Sequence, residues 1–365
     1  MNGISGYLLA KLTLIIGAGI TGLSLAWEMM QRGRQVMILE RGRAGSESTW
    51  AGGGILFPLL PWDYPDAVTD LAMQSMRDWP RWITGIRNVS GQDAEYRVCG
   101  LRIHRIARPE AVLDWCIRHG FDAKLESSGS ALWLPGIAQV RNPRIAAALR
   151  AACIRAGARL HESQTDFTLH PQGNHVQTLQ LDGQAYTVDQ VAIATGAWAG
   201  LPLAGMAPVP HIRPIRGQML LFRLAPGALD TMVYCEGTYL IPRLDGHILV
   251  GSTLEDAGFD KSTDAETARR LHQQATEWLP ALAQHQPIQH WSGLRPGSPG
   301  NIPVIGRHPD YNNVFVNVGH YRYGLTMAPA AADLLADLME GKTPALDPAP
   351  YRWAAAQQRH WSDRL

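Results

Sequence analysis

The start of the chain alternates short apolar runs with one helix-like segment. Leu12 to Ile16 is almost entirely apolar, as expected of a parallel strand buried on both faces. Ile20 to Gln31 has a helix-forming composition and is followed by Gly33, a residue type that caps helix C-termini. Val36 to Leu39 is a second apolar strand that ends at Glu40. The pattern predicts a βαβ unit of about 30 residues.

The same alternation returns later in the chain. Asn142 and Pro143 favour a helix start, and the Ala-rich segment from Arg144 to Ala156 predicts the helix itself. Further α/β elements are predicted as two strands and a last helix: Gln190–Ala194, Val314–Val318 and Pro329–Glu340.

Two other regions, 81–140 and 211–290, are richer in alternating, β-like stretches. Gly217 to Arg223 is one of them. Thr238–Ile241 and His247–Val250 flank the dipeptide Asp245-Gly246, which predicts a β-hairpin.

The alternation of these two kinds of region predicts two interleaved domains. One is a discontinuous, Rossmann-like α/β domain, and the other is a largely antiparallel, α+β domain inserted in two pieces. The predicted nucleotide-binding domain comprises residues 9–80, 141–210 and 291–365, and the predicted substrate domain comprises 81–140 and 211–290.

The turn after the first strand has the spacing of a dinucleotide-binding loop. Gly17 permits a tight turn, Gly19 lets the backbone approach a pyrophosphate, and Gly22 allows close packing of helix on strand. Glu40 can accept hydrogen bonds from ribose hydroxyls, and its charge disfavours the 2′-phosphate of NADP. The turn therefore predicts a dinucleotide but does not separate FAD from NAD.

Composition excludes several other classes of protein. The 365 residues are 46% apolar and 18% charged with a net charge of +1, and basic residues form no stripe that would bind nucleic acid. The four cysteines are scattered, the histidines lack metal-ligand spacing, and no apolar run is long enough for a transmembrane helix. We expect a cytoplasmic protein without a metal.

Motifs along the whole chain then point to one family. They are Ser48–Ile55 (STWAGGGI), Ala192–Trp198, Tyr239–Arg243, Gly251–Glu255, Gly258–Asp260, Gly293–Gly297, Ile302–Gly306 and Gly319–Leu325. In this order they resemble the D-amino-acid oxidase superfamily of flavoproteins, and within it the bacterial glycine oxidases associated with thiamine biosynthesis.

The resemblance implies FAD as the cofactor. It implies that the stretch from Thr49 runs along the flavin and that the stretch from Gly319 brings backbone N–H groups and a helix N-terminus to the pyrimidine end of the flavin. The implied cofactor-binding residues are Gly17, Gly19, Ile20, Thr21, Gly22, Glu40, Arg41, Ser48, Thr49, Ala51, Gly52, Gly53, Gly54, Thr195, Gly196, Gly319, Tyr321, Arg322, Tyr323, Gly324, Leu325 and Thr326.

The resemblance also implies three residues at the substrate. Arg295 matches the family's carboxylate anchor, and a planar guanidinium can bind a carboxylate through two hydrogen bonds. Tyr239 matches the position that contacts the substrate beside this arginine. Arg322 would support the site or tune its electrostatics. His320, near the expected flavin site, is interpreted as structural.

Three residues depart from the pattern of glycine oxidases. Phe57 stands where a small residue is expected and would narrow or block the pocket. Tyr323 replaces a frequent Asn, and Leu254 replaces a Met of some relatives.

The implied activity is oxidative deamination of glycine to glyoxylate and ammonia, with O2 reduced to H2O2. Sarcosine and small D-amino acids would be secondary substrates, and the imine would serve thiamine biosynthesis. Two alternatives stay open: an oxidase of another secondary amine such as D-proline, and a flavoprotein that modifies or matures a partner protein. The sequence leaves open whether the protein is a homo-oligomer.

Overall fold

The structure is a computed structural model that describes residues 12–126 and 129–361. Its α-helices are α1 Ile20–Gln31, α2 Ser48–Ala51, α3 Asp66–Ser90, α4 Pro109–Arg118, α5 Asn142–Arg155, α6 Ala265–Trp278, α7 Gly324–Glu340 and α8 Trp353–Gln357. No helix in these two ranges is long and apolar enough to cross a membrane.

The strands form four sheets. They are β1 Leu12–Ile16, β2 Gln35–Leu39, β3 Arg97–Val98, β4 Leu101–His104, β5 Lys124–Leu125, β6 Ala131–Leu134, β7 Ala138–Gln139, β8 Arg159–His161, β9 Thr168–Gln172, β10 His175–Leu181, β11 Gln184–Thr187, β12 Gln190–Ile193, β13 Arg213–Arg223, β14 Met232–Cys235, β15 Thr238–Pro242, β16 His247–Gly251, β17 Gln289–Gly297, β18 Val304–Arg307 and β19 Val314–Val318.

The six-stranded sheet has the order β18-β19-β12-β1-β2-β8, and only β18 is antiparallel to its neighbour. Both faces of β1 are covered, which explains its apolar run. Ile15 packs into the core on the side of α1 and α7, whereas Leu14 and Ile16 pack into the core against the small sheet β11-β10-β9. The predicted βαβ unit is confirmed.

The eight-stranded sheet has the order β17-β13-β16-β15-β14-β4-β6-β5 and is antiparallel except for the β14–β4 pair. Alternate residues of its strands face opposite sides. Leu220, Phe222 and Leu240 pack against α6, whereas Met219 and Ile241 face the large core shared with α1 and α7. This sheet, inserted between strands of the six-stranded sheet, confirms the predicted fold class.

The predicted hairpin is confirmed as β15 and β16. The chain reverses between Pro242 and His247, where the Arg243 amide donates to the His247 carbonyl at 2.8 Å. Gly246 has a φ of +83°, and a Cβ there would lie 2.2 Å from the Leu224 carbonyl oxygen. Only glycine fits this position without strain.

Several element boundaries predicted from the sequence are wrong. Helix α7 begins at Gly324 instead of Pro329, because a proline within a helix costs one hydrogen bond that tertiary packing can offset. Helix α5 covers Asn142–Arg155, so Asn142 and Pro143 lie inside its first turn. The region 81–140 is also less β-like than expected, since it contains the end of α3 and all of α4.

The predicted division into domains stays a prediction. Strand β17 extends the eight-stranded sheet to Gly297, seven residues beyond the predicted boundary at residue 290. Parts of the predicted domains, residues 9–11, 127–128 and 362–365, lie outside the described residues.

Candidate active site

Two adjoining cavities form one elongated groove. The outer cavity lies at the carboxyl ends of β1 and β2. The inner cavity lies between α7 and the eight-stranded sheet. The two share the lining residues Gly19, Ser48, Thr49, Ala194 and Gly196.

The turn from β1 to α1 brings bare backbone to this groove. Gly17 has a φ of +105°, and a Cβ on it would lie 2.4 Å from the Ala194 carbonyl oxygen. A Cβ on Gly22 would lie 1.9 Å from the Gly17 carbonyl oxygen, so Gly22 packs the helix onto the turn and does not line the groove. Both positions require glycine for close packing of backbone.

Glu40 is a fixed carboxylate in the wall of the outer cavity. One oxygen accepts from the Ala18 amide at 2.7 Å and the other from the Gly42 amide at 2.9 Å. A carboxylate oxygen can accept more than one hydrogen bond, so the group can still bind hydroxyls of a ligand.

Arg41 and Trp198 lie against each other in the wall of the outer cavity. The Arg41 guanidinium lies 3.4 Å from the Trp198 ring centroid, and it pairs with Glu47 at 3.3 Å. On its other side Trp198 stacks on Phe259 at 5.4 Å. Trp198 ends one of the family-like motifs but was not predicted to contribute to the site, because its contact with Arg41 depends on two distant loops.

The glycine-rich stretch after Ala51 lines the inner cavity. A Cβ on Gly53 would lie 2.7 Å from Ile241 Cδ1, and one on Gly54 would lie 2.0 Å from the Val140 carbonyl oxygen. The backbone here therefore approaches the sheet as closely as glycine permits.

Two side chains that the sequence did not predict as site residues hold this stretch. Arg243, buried, donates to the Gly53 carbonyl at 2.8 Å and the Val140 carbonyl at 2.9 Å; burial lowers the pKa of Arg243 to about 10. Asn142 donates to the Thr49 carbonyl at 2.7 Å, and its buried Oδ1 has no protein partner in the described structure. The sequence predicted Asn142 only as the start of a helix and not as a residue that holds the Thr49 backbone.

Arg295 and Tyr239 meet at the far end of the inner cavity. They stand on β17 and β15, and Gly217 of β13 makes room for the guanidinium, since a Cβ there would lie 2.1 Å from Arg295 Nη1. Arg295 donates to the Thr253 carbonyl at 3.0 Å and to Ser252 Oγ at 2.6 Å. Burial lowers its pKa, and a guanidinium remains charged nonetheless.

Arg322 is the second cation of the inner cavity. Its Nη1 donates to the Tyr64 hydroxyl at 3.1 Å. Burial opposes its charge, but the surrounding phenols of Tyr323, Tyr64 and Tyr234 keep the pKa of Arg322 above the ordinary value. Tyr64 was not predicted as a site residue, since only the tertiary structure brings it to Arg322.

The two aromatic departures close the cavity on one side. The Tyr323 hydroxyl donates to the Leu59 carbonyl at 3.0 Å and accepts from the Tyr64 hydroxyl at 2.8 Å. Phe57 is 1% exposed and meets Phe121 edge-on at 5.4 Å. Phe57 lines the inner cavity, so its effect on the width of the pocket stays a prediction, and Tyr323 ties the loop that carries Phe57 to the start of α7.

The N-terminus of α7 faces the inner cavity. Met327 is the first residue whose amide bonds back into the helix, to the Tyr323 carbonyl at 2.9 Å, so the amides of Leu325 and Thr326 precede the helical ladder. His320 also lines the cavity, and burial lowers its pKa to about 3, which keeps it neutral. Gly319 does not line the cavity. It packs against Ile212, since a Cβ on Gly319 would lie 2.6 Å from Ile212 Cδ1.

The structure brings together almost all predicted site residues. Every one except Gly22 and Gly319 lines one of the two cavities, while the individual roles stay predictions.

Comparison with known proteins agrees with this geometry. A family described as FAD dependent oxidoreductase matches residues 13–338. The glycine oxidase of Pseudomonas aeruginosa is 40% identical over 358 residues, covering 94% of this chain and 98% of that protein. The crystal structure of glycine oxidase from Geobacillus kaustophilus matches with a TM-score of 0.85 at 29% identity, covering 96% of this chain and 99% of that one.

The chain belongs to the family of FAD-dependent oxidoreductases.

The predicted resemblance to the D-amino-acid oxidase superfamily and the predicted cofactor, FAD, are thereby confirmed. The match extends to a bifunctional protein ThiO/ThiG of Synechocystis, which is 30% identical; this alignment covers 89% of the chain and 51% of that longer protein.

The groove of this FAD-dependent oxidoreductase fits its cofactor. A dinucleotide is long, and the outer and inner cavities are continuous along their shared lining. Gly17, Gly19 and Gly53 line the groove with bare backbone, and Asn142 Oδ1 is a buried acceptor on its wall. No group of His, Cys, Asp and Glu in the described residues could hold a metal ion.

Proposed function

We propose that the protein is an amino-acid oxidase whose principal substrate is glycine, with sarcosine and small D-amino acids as secondary substrates. The observation that carries the proposal is Arg295 beside Tyr239 in a cavity whose wall includes the bulky side chain of Phe57. A fixed cation binds a carboxylate, and a narrow wall favours the smallest side chain. The P. aeruginosa relative, a glycine oxidase, supports the same substrate.

The residues of the groove would hold FAD along its length. Glu40 would accept hydrogen bonds from the ribose, and the turn at Gly17 and Gly19 would receive the pyrophosphate. The stretch from Thr49 to Gly54 would lie along the flavin ring, and the free amides at the start of α7 would stabilise negative charge on its pyrimidine end. When bound, FAD supplies the acceptor for two electrons and passes them to O2.

The chain's own residues bind and orient the substrate. Arg295 holds the carboxylate and so directs the amine and Cα into the narrow part of the cavity. Arg295 and Arg322 together disfavour another positive charge nearby, which lowers the pKa of the bound amine and favours its neutral form. Neutral His320 adds no further charge. In the net reaction glycine, O2 and water give glyoxylate, ammonia and H2O2.

The proposal extends to the domains and the setting of the enzyme. The six-stranded sheet would organise the cofactor domain, and the eight-stranded sheet the substrate domain. All four cysteines are free thiols, which supports the expected cytoplasmic location. The ThiO/ThiG relative supports use of the imine product in thiamine biosynthesis.

Anaerobic reduction tests the proposal. We expect glycine to bleach the visible band of the bound FAD, and admission of air to restore it with formation of H2O2. Sarcosine, D-alanine and D-proline are tested as alternative substrates, and L-alanine is the control of opposite configuration. If no free amine bleaches the band, the proposal is wrong, and the alternative of a flavoprotein acting on a partner protein becomes the better one.

A further inference from the structure

Five phenols lie around the two cations of the inner cavity, and four of them have hydrogen-bond partners within the protein. Tyr64 and Tyr323 bond each other, Tyr234 accepts from the Gly237 amide, and Tyr239 donates to Met219 Sδ at 3.1 Å. The fifth is Tyr321. Its hydroxyl is buried without a partner among the described residues.

The backbone holds Tyr321 in a strained conformation. Its φ is +44°, a value that bulky residues rarely adopt. The Tyr321 amide donates at 2.9 Å to the carbonyl of Pro296, the residue that follows Arg295 in the chain. The Tyr321 ring meets the Trp361 ring edge-on, with the centroids 6.0 Å apart. The side chain is 5% exposed and lines the inner cavity. These contacts keep the ring beside Arg295.

A buried hydroxyl with no partner destabilises the folded protein unless a ligand satisfies it. Burial raises the pKa of Tyr321, against the opposing effect of Arg295 and Arg322, so the group is a neutral phenol that can donate its O–H. Between two guanidinium groups, the ligand atom that accepts this hydrogen bond most favourably is an anionic oxygen.

We propose that Tyr321 binds the substrate carboxylate, donating its O–H to one oxygen while Arg295 holds the group from the other side. This inference rests on the proposed function and adds a second phenol, besides Tyr239, to carboxylate recognition. It assigns to Tyr321 a contact with the substrate, whereas the sequence predicted only a contact with the cofactor.

The variant Tyr321→Phe tests the contact, because it keeps the ring and its packing on Trp361 and removes only the hydroxyl. The probe is acetate, which has the carboxylate but cannot be oxidised, and its binding is followed through the visible spectrum of the FAD-loaded enzyme. We expect the Kd for acetate to rise about 10- to 100-fold, the range for a hydrogen bond to a charged group. The glycine concentration for half-maximal anaerobic reduction should rise in parallel.

Tyr351→Phe is the matched control. It also removes a buried phenol, which donates to the Ala67 carbonyl at 2.7 Å and does not line the inner cavity. The Kd for acetate should stay unchanged. The inference is wrong if acetate binds Tyr321→Phe and the wild type equally well, or if acetate does not perturb the wild-type spectrum. It is also wrong if Tyr321→Phe weakens only the binding of methylamine, a probe that has the amine without the carboxylate. Failure of glycine to reduce the wild type would instead refute the proposed function.

Discussion

The outer and inner ends of the groove are built in different ways. The outer end presents the glycines of the βαβ turn and the carboxylate of Glu40, which two backbone amides hold, and loops from other parts of the chain complete it. The inner end is mainly side chains, and its two cations, Arg295 and Arg322, come from a strand and a loop with partners spread over the chain. On the proposed function, the cofactor would be recognised by chain geometry and the substrate by assembled charge.

The largest expected effect tests the geometry of the outer end. Gly17→Ala places a Cβ 2.4 Å from a backbone oxygen at a φ of +105°, whereas the control Gly33→Ala has a φ of +78° and nothing within 4 Å. We expect the control to lose about 1–2 kcal/mol of unfolding free energy and Gly17→Ala at least about 1–3 kcal/mol more, together with its FAD. Urea unfolding and flavin content measure both. Equal losses in the two variants would contradict a packing role for Gly17.

The second effect should be confined to the inner end. Arg295→Ala removes the proposed carboxylate anchor, so half-maximal flavin reduction should need at least about 100-fold more glycine, while FAD content stays unchanged. Arg295→Lys keeps the charge without the planar fork of the guanidinium. Its glycine concentration for half-maximal reduction should lie between those of the wild type and Arg295→Ala. Loss of FAD in parallel with loss of glycine binding would mean that Arg295 serves the cofactor instead.

A smaller effect concerns the wall of the inner end. Phe57→Leu should widen the cavity and raise kcat/KM for D-alanine relative to glycine by about tenfold, the usual value of one methyl group in an apolar pocket. Phe222→Leu is the control, because Phe222 is equally buried but packs in the core against α6. An unchanged ratio in Phe57→Leu would show that another wall limits the substrate.

The smallest effect concerns the neutrality of His320. Its pKa in the folded protein, about 3, lies below the ordinary value of 6.5, so only the unfolded state takes up a proton between these pH values. This contribution to stability is present above pH 6.5 and is lost as the pH falls towards 3, by at most about 1.4 kcal/mol per pH unit. His320→Gln should flatten the pH dependence of unfolding in that window. An unchanged slope would mean that His320 titrates normally.

The contrast between the ends also governs what the sequence could predict. Leu12–Ile16, the glycine turn and helix Ile20–Gln31 are contiguous, so local spacing sufficed, and the structure has these elements with the predicted bounds. The start of α7 was predicted wrongly, because proline favours the first turn of a helix, whereas this helix begins at Gly324 and continues through Pro329.

The amino-acid sequence by itself determined the βαβ unit, the position of Glu40 and the hairpin at Asp245-Gly246, since each depends on neighbours within one or two elements. Only the tertiary structure decided that the Arg295 guanidinium passes over Gly217 to lie beside Tyr239. It also decided that Arg322 donates to the Tyr64 hydroxyl, and that the Tyr321 hydroxyl is buried without a hydrogen-bond partner among the described residues. For Arg295, Gly217 and Tyr239 the physical reason is the register of β13, β15 and β17, because a strand shifted by one residue would turn its side chain to the opposite face of the sheet. Tyr64, Arg322 and Tyr321 lie in loops, whose positions depend on the packing of distant segments.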